Sequence, residues 1–175
     1  PFPTLPRGFG ASLPSSRSDA CSLLHSGCER AIVSFAFIRD TTSLAVGATV
    51  DAVRDSALFP AWRGARLLAS GGTAHVKTDL ICGICHGLLL GLHAAVDLGA
   101  RVVEVYGPFH PKLAVMLLAT PPPSHAFSYP QLLVERLRSF MTRFKSIKMV
   151  CIPDTGDDLS AAETLAWNCM DSRSH

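Results

Sequence analysis

Residues 86–107 combine three structural signals in direct succession and limit the folds that this chain can adopt. The segment, HGLLLGLHAAVDLGARVVEVYG, begins with apolar residues at helical spacing. Gly99 stands where a helix commonly ends, because glycine readily takes the left-handed backbone conformation. The near-continuous apolar run RVVEVYG follows, as in a strand at the centre of a sheet. A helix that leads directly into a buried strand indicates an α/β domain.

Strand and helix patterns continue on both sides of this segment. Three β-branched and aromatic runs precede it and predict an antiparallel meander; they are AIVSFAFI (31–38), SLAVGATVDAV (43–53) and ARLLASGGTAHV (65–76). In the third run, Gly71 and Gly72 predict a bulge or a bend. Helices are predicted over about 80–98, 111–119, 129–144 and 159–170, with a short strand, SIKMVCI, before the last helix.

Length and composition fit one globular domain with an extension. The chain has 175 residues, of which 48% are hydrophobic, so it can bury a substantial core. Residues 1–29 are rich in Pro, Gly and Ser without a sustained period, and we expect an irregular N-terminal extension there, followed by a domain over 30–172. The net charge of +2 is too small to require a nucleic-acid partner, so such a role would depend on a local patch.

Two features bear on localisation. The longest apolar run, Leu80–Val96, contains His86 and His93 and repeats apolar residues at helical spacing, which favours a buried core helix over a membrane span. The first acid is Asp19, after several Ser and Arg residues, a composition typical of organellar transit regions. We therefore expect an organellar, mitochondrial location and no membrane-spanning segment.

The helix, glycine and strand of residues 86–107 resemble the ribonuclease H-like superfamily. In its plant-type and reverse-transcriptase-associated members, a helix with the pattern AExxALxxGL leads through a glycine into an apolar strand that ends in Gly-Asp-Ser. The order of elements over 31–170 fits that resemblance. It implies an α/β fold with a mixed five-stranded sheet, made of a three-stranded antiparallel meander and further parallel strands, with helices on both faces.

The resemblance also implies four carboxylates, because ribonuclease H chemistry holds two divalent ions about 4 Å apart. The corresponding positions here are Asp40 after the first strand, Ile84 on the central helix, Pro108 after the fourth strand and Glu163 on the last helix. The two middle positions lack a carboxylate, so at most two of four ligands remain. We expect a catalytically degenerate domain that holds no metal and no other cofactor.

Cys82, Cys85 and His86 form a CGICH motif that allows several interpretations. Its spacing is that of covalent c-type haem attachment, and a CxxC pair at the head of a helix is also found in thioredoxin-like redox proteins. Zinc binding would need further ligands, with Cys151 or Cys169 as candidates. Because the motif continues directly into an apolar helix, we interpret both thiols as buried core residues.

A basic segment follows the predicted helix start at Tyr129. The sequence RLRSFMTRFKSIK contains no acid and interleaves cations with large apolar side chains. This pattern is that of a helix that packs one face and exposes a positive face. The positive side chains are either an ordinary solvated surface or candidates for nucleic-acid binding. The candidates are Arg136, Arg138, Arg143, Lys145 and Lys148.

These observations predict a non-catalytic ribonuclease H-like subunit that acts as a structural or RNA-contacting module of a larger assembly. Protein subunits are its expected partners, with RNA as a further partner. An organellar ribonucleoprotein such as the mitochondrial ribosome is the predicted setting, and a membrane-protein or respiratory assembly is the alternative setting. Two enzymatic alternatives remain open: a residual metal-dependent nuclease that uses Asp40 and Glu163, and a redox protein that uses Cys82 and Cys85.

Overall fold

The computed structural model describes residues 28–40, 43–69, 80–121, 127–152 and 160–172. Within these residues, strands and helices follow one another in the predicted order. The strands are β1 (Arg30–Arg39), β2 (Ser43–Arg54), β3 (Ala57–Ala69), β4 (Val102–Gly107) and β5 (Ser146–Cys151), and the helices are α1 (Leu80–Asp97), α2 (Pro111–Leu118), α3 (Tyr129–Met141) and α4 (Ser160–Asp171).

The five strands form one sheet in the order β3-β2-β1-β4-β5. Strands β1, β2 and β3 pair antiparallel, whereas β4 pairs parallel with β1 and with β5. A parallel partner requires the chain to cross over the sheet, and α1 lies in the crossover between the meander and β4. The predicted mixed sheet is confirmed.

Helix α1 covers one face of this sheet. Three of its glycines, Gly83, Gly87 and Gly91, are spaced by four residues, so they lie along one side of the helix and let it approach β1 closely. The helix is long and apolar enough to span a membrane, but 72% of its length is buried inside the domain. It ends at Gly99, whose φ of +80° is the predicted left-handed cap.

Helix α4 covers the opposite face. A Cβ atom at Gly47 of β2 would overlap the backbone oxygen of Ala162 and lie 2.9 Å from the backbone nitrogen of Ala166. The absent side chain therefore lets α4 lie directly against β2. Gly91 of α1 faces the neighbouring residue Ala48, and adjacent strand residues point to opposite faces of a sheet. The predicted helices on both faces are confirmed.

The prediction that β3 begins at residue 65 is wrong, because the strand starts at Ala57. The hairpin turns through Asp55 and Ser56, which both have positive φ without being glycine, so the usual turn signature is missing. Pro60 lies within this edge strand, opposite Asp51, where a bulge accommodates it. The remainder of the predicted run, including Gly71 and Gly72, lies outside the described residues.

The predicted end of α3 at residue 144 is also wrong, because the helix stops at Met141. Two tight turns follow, in which the backbone N–H of Arg143 donates to Phe140 and that of Phe144 donates to Met141. Phe144 is nevertheless buried in the core, which explains why its helical spacing misled the prediction. Residues 1–27 lie outside the described residues, and the boundary of the extension stays a prediction.

Candidate functional site

Phe35 fills the space where β1, the end of β4 and helix α1 meet. Its side chain is fully buried and makes an edge-to-face contact with Phe109, with ring centroids 5.4 Å apart. Strand β4 ends beside it, because Ser34 is the register partner of Tyr106 and Gly107 comes next. This is the region where the resemblance to ribonuclease H implies a carboxylate cluster, and here it contains two aromatic rings.

Glycines on two elements make room for the Phe35 ring. A Cβ atom at Gly107 would overlap the ring, and a Cβ atom at Gly87 would lie 2.5 Å from it. On the next turn of α1, a Cβ atom at Gly83 would lie 2.6 Å from the ring of Phe37. Protein interiors are close-packed, so large rings on β1 require small residues on the elements that face them. Sequence reasoning missed Phe35, although the four-residue spacing of the glycines was a signal for this contact.

The two middle candidate positions are apolar in the structure as in the sequence. Ile84 is fully buried on α1, and Pro108 directly follows β4. Together with Phe35 they supply no side-chain oxygen, whereas a pair of hard divalent cations needs several carboxylate ligands. The residues of this region therefore do not fit the two-ion centre of a ribonuclease H.

The structure does not bring Asp40 into this region. Asp40 is exposed just beyond β1, and its carboxylate accepts a hydrogen bond of 2.6 Å from the backbone N–H of Ser43. It is five residues beyond Phe35, which corresponds to about 16 Å along an extended strand. Asp40 is thus part of the turn between β1 and β2.

Glu163 lies in the first turn of α4, as the resemblance implied, and its side chain is exposed. Its carboxylate accepts a long hydrogen bond of 3.4 Å from the indole N–H of Trp167, one helical turn further along. The neighbouring residue Ala162 packs on the sheet at Gly47. Glu163 therefore belongs to the outer surface of the helix.

The basic candidates fall into separate environments. Arg138 donates to the backbone oxygens of Met116, Leu117 and Ala119 at 2.8–3.0 Å and forms an ion pair with Glu135. It thereby satisfies carbonyl groups at the end of α2, which have no partner inside that helix. The guanidinium of Arg138 thus joins α2 to α3.

Lys148 is located on strand β5 and not on the helix. Its ammonium group contacts the carboxylate of Glu104 on β4 at 2.8 Å, and Tyr106 donates a second hydrogen bond to the same carboxylate. The hydrogen bonds from Lys148 and Tyr106 hold the pKa of Glu104 below its usual value. Because Glu104 and Tyr106 alternate with buried Val103 and Val105, this group is on the sheet face opposite α1.

The remaining basic candidates are exposed. Arg136 is on α3, whereas Arg143 and Lys145 are in the turns that follow it. The guanidinium carbon of Arg143 lies 4.8 Å from the centroid of the Phe140 ring, within the range of a cation–π contact. Arg136, Arg143 and Lys145 are therefore exposed cations of the predicted segment, and Lys148 is exposed as well despite its ion pair with Glu104.

Cys82 and Cys85 are fully buried in the first turns of α1. A redox or haem-binding role needs a thiol that a substrate or cofactor can reach, and this burial does not provide one. Within the part of the chain that the structure describes, no three His, Cys, Asp or Glu side chains come together as a metal site. The thiols instead pack in the hydrophobic core.

His86, the last residue of the CGICH motif, contacts α3. Its Nε2 atom lies 3.0 Å from the Tyr129 hydroxyl, within hydrogen-bonding distance. Burial and, to a lesser extent, the positive charges of Arg66 and Arg136 lower the pKa of His86 to about 4. Burial also raises the pKa of Tyr129. His86 is therefore neutral at pH 7, and sequence reasoning had missed both Tyr129 and Arg66 as its neighbours.

Comparisons with known proteins bear on the fold. No protein family and no curated protein matches this sequence. Solved structures do match: ribonuclease H1 of the halophilic archaeon Halobacterium salinarum is 18% identical with a TM-score of 0.58, over 82% of this chain and 98% of that chain.

Two further structures give the same result. The N-terminal ribonuclease H domain of a Mycobacterium tuberculosis protein is 18% identical, with a TM-score of 0.61 over 81% of this chain and 99% of that one. The ribonuclease H1 LC11, isolated from compost and solved in complex with an RNA/DNA hybrid, is 12% identical, with a TM-score of 0.63 over 83% and 99%. The sheet order, the crossover helix and these similarities show that the chain has the ribonuclease H-like fold.

Proposed function

We propose that this protein is a non-catalytic ribonuclease H-like subunit that contacts RNA within a larger assembly. The observation that carries the proposal is the buried Phe35 ring, which occupies the region where the resemblance implies a carboxylate cluster. An organellar ribonucleoprotein such as the mitochondrial ribosome is the proposed setting, with protein subunits as further partners.

The packing around Phe35 supports the loss of catalysis. Cleavage by the two-ion mechanism requires carboxylates that hold both ions beside the scissile phosphate. Phe35, Ile84 and Gly107 are buried, and the Phe35 ring packs directly against Gly107 and Gly87, so the ring occupies this space in place of a carboxylate. A single aspartate introduced at one of these positions would place a charge in apolar surroundings, without the other carboxylates and the metal ions that an active site requires.

The exposed cations around α3 support contact with RNA. Arg136, Arg143 and Lys145 are exposed close to one another in sequence, and nucleic-acid affinity is dominated by such contacts to phosphates. The structural relative LC11 binds an RNA/DNA hybrid through the same fold. We propose a phosphate-dominated affinity with little base preference, because no row of stacking aromatic side chains is exposed in the described residues.

A cleavage assay tests the catalytic part of the proposal. The purified chain, incubated with a labelled RNA/DNA hybrid and Mg²⁺ or Mn²⁺, is expected to release no product above background. Asp40→Asn and Glu163→Gln variants serve as controls for a contaminating nuclease. Cleavage by the original chain that disappears in either variant would show a residual active site and contradict the proposal.

The assembly part needs a separate measurement. A tagged full chain, expressed in cells, should co-sediment with a ribonucleoprotein particle and shift to lighter fractions after ribonuclease treatment. Sedimentation as a free protein, or with a particle that ribonuclease leaves unchanged, would contradict the proposed setting.

A further inference from the structure

Arg66 leaves strand β3 on the face of the sheet that α1 covers. Its register partner is Val46, which is paired in turn with Phe37 on β1. Directly paired residues point to the same face, and Val46 and Phe37 lie beneath α1. The Phe37 ring packs against α1 at Gly83. Arg66 is therefore level with the turn of α1 that carries Gly83 and His86.

Arg136 lies on α3, the helix that packs beside α1. His86 contacts Tyr129, and His93 packs on Phe140 with ring centroids 4.2 Å apart, so α1 and α3 run parallel. Arg136 is seven residues after Tyr129, which places it on the same side of α3, about 10 Å further along the axis. Its side chain is exposed.

The elements on either side of α1 at this level, β3 and α3, thus each carry an exposed arginine. The positive charges of Arg66 and Arg136 both add to the effect of burial in lowering the pKa of His86. Because His86 is neutral, it does not repel these arginines. Its contact with Tyr129 joins α1 to α3. The result is a concentration of positive charge in three dimensions that the linear sequence does not show.

We propose that Arg66 and Arg136 together bind the phosphate backbone of RNA, with the His86–Tyr129 contact as the element that positions them. This inference rests on the proposed function and identifies the surface that performs it. Guanidinium groups suit phosphate because their planar donors form paired hydrogen bonds to its oxygens. The surface spans β3, α1 and α3, whereas the five cations predicted from the sequence lie in one linear segment.

The binding test compares two double variants with the same change of charge. Arg66→Gln/Arg136→Gln alters the proposed site. Arg54→Gln/Arg101→Gln alters exposed arginines at the opposite end of the sheet, where β2 ends and β4 begins. Affinity for a fluorescein-labelled 20-nucleotide RNA hairpin is measured by anisotropy at several salt concentrations.

The site variant should bind about tenfold more weakly at low salt, and the slope of log Kd against log salt should fall by about 1 to 2, one for each lost phosphate contact. The control variant should change affinity by less than about twofold. Equal weakening of both variants, or no weakening in the site variant, would overturn the inference while leaving RNA binding itself intact. Failure of the original chain to bind the hairpin would overturn the proposed RNA contact together with the inference.

A second measurement separates a phosphate site from a merely structural cluster. Proton NMR follows the His86 ring through an acid titration of the free chain, of the hairpin complex and of the chain with a short polyglutamate peptide. Burial is the largest cause of the low pKa of His86, so removal of both arginines, or their neutralisation by bound RNA, should raise this pKa only by the part that their charges contribute. An unchanged titration on RNA binding would overturn the site, and a rise with polyglutamate alone would assign the surface to an acidic protein partner instead.

Discussion

Gly87 and His86 are neighbours on α1, yet they face regions of opposite chemistry. Gly87 lies against the Phe35 ring in the region of the expected active site, whereas His86 contacts Tyr129 and lies near two arginines. Around Gly87, rings fill β1, and glycines on α1 and β4 make room for them. Around His86, polar groups meet. The comparison teaches that one helix can pack closely on a sheet through one side and make polar contacts through the other.

The largest expected effect on stability concerns the packing of the Phe35 ring. Phe35→Ala should lower the free energy of unfolding by about 3–5 kcal/mol, because it removes a fully buried ring and leaves a cavity. Gly107→Ala alone should also destabilise, by about 1–3 kcal/mol, since the new methyl group overlaps the ring. In the Phe35→Ala background the same Gly107→Ala change should be neutral or stabilising, because the methyl group then enters the cavity.

Urea denaturation of the two single variants and the double variant measures this coupling. Gly99→Ala is the matched control, because its cost arises from a positive φ with no neighbour within 4 Å and should not depend on residue 35. Additive costs for Phe35→Ala and Gly107→Ala would show that the ring and the glycine are not packed against each other.

The next effect is the dependence of stability on pH that His86 should cause. The pKa of His86 is about 4 in the folded chain and about 6.5 when unfolded, so its contribution to stability is complete above about pH 6.5. As the pH falls from there to about 4, the unfolded chain takes up a proton that the folded chain does not. Stability should fall by an amount on the order of 2–3 kcal/mol over this range.

His86→Gln, measured by urea denaturation at intervals of half a pH unit, should show a shallower loss of stability between pH 6.5 and 4 than the original chain. The same slope in both proteins would mean that His86 is accessible to protons in the folded state.

A smaller effect separates two arginines on one helix. Arg138→Gln should cost about 1–2 kcal/mol, because three carbonyl groups at the end of α2 lose their donor. Arg136→Gln should cost less than Arg138→Gln, since the Arg136 side chain is exposed. Thermal denaturation of both variants measures the difference, and equal losses would place Arg136 in the same structural role as Arg138.

The sequence predicted the elements whose signals are local. Helix α1 and its cap at Gly99 follow from apolar spacing and from glycine, and both are confirmed. The start of β3 and the end of α3 were wrong, because the turn at Asp55 and Ser56 lacks glycine and because Phe144 keeps helical spacing after the helix has ended. Such boundaries depend on tertiary contacts, which override local preference.

The candidate site was less predictable. The absence of carboxylates at Ile84 and Pro108 was visible in the sequence, but the ring that occupies their region was not, since only strand register shows that Phe35 is next to Gly107. Register likewise places Arg66 level with Val46 and Phe37, and Phe37 packs against α1 at Gly83. The basic segment could be recognised in the sequence. The sequence did not show, however, that Arg138 binds carbonyl groups and that Lys148 pairs with Glu104.

Pro60 has a consequence for the solubility of this chain. Strand β3 forms an edge of the sheet, and an edge strand offers unpaired backbone groups to which a strand of another molecule can add. The nearby side chains of Leu58 and Phe59 are 54% and 42% exposed, which would make such an addition favourable. Pro60 has no N–H to donate, and the bulge opposite Asp51 interrupts the regular edge. The proline and the bulge therefore make the addition of a further strand at this edge less favourable.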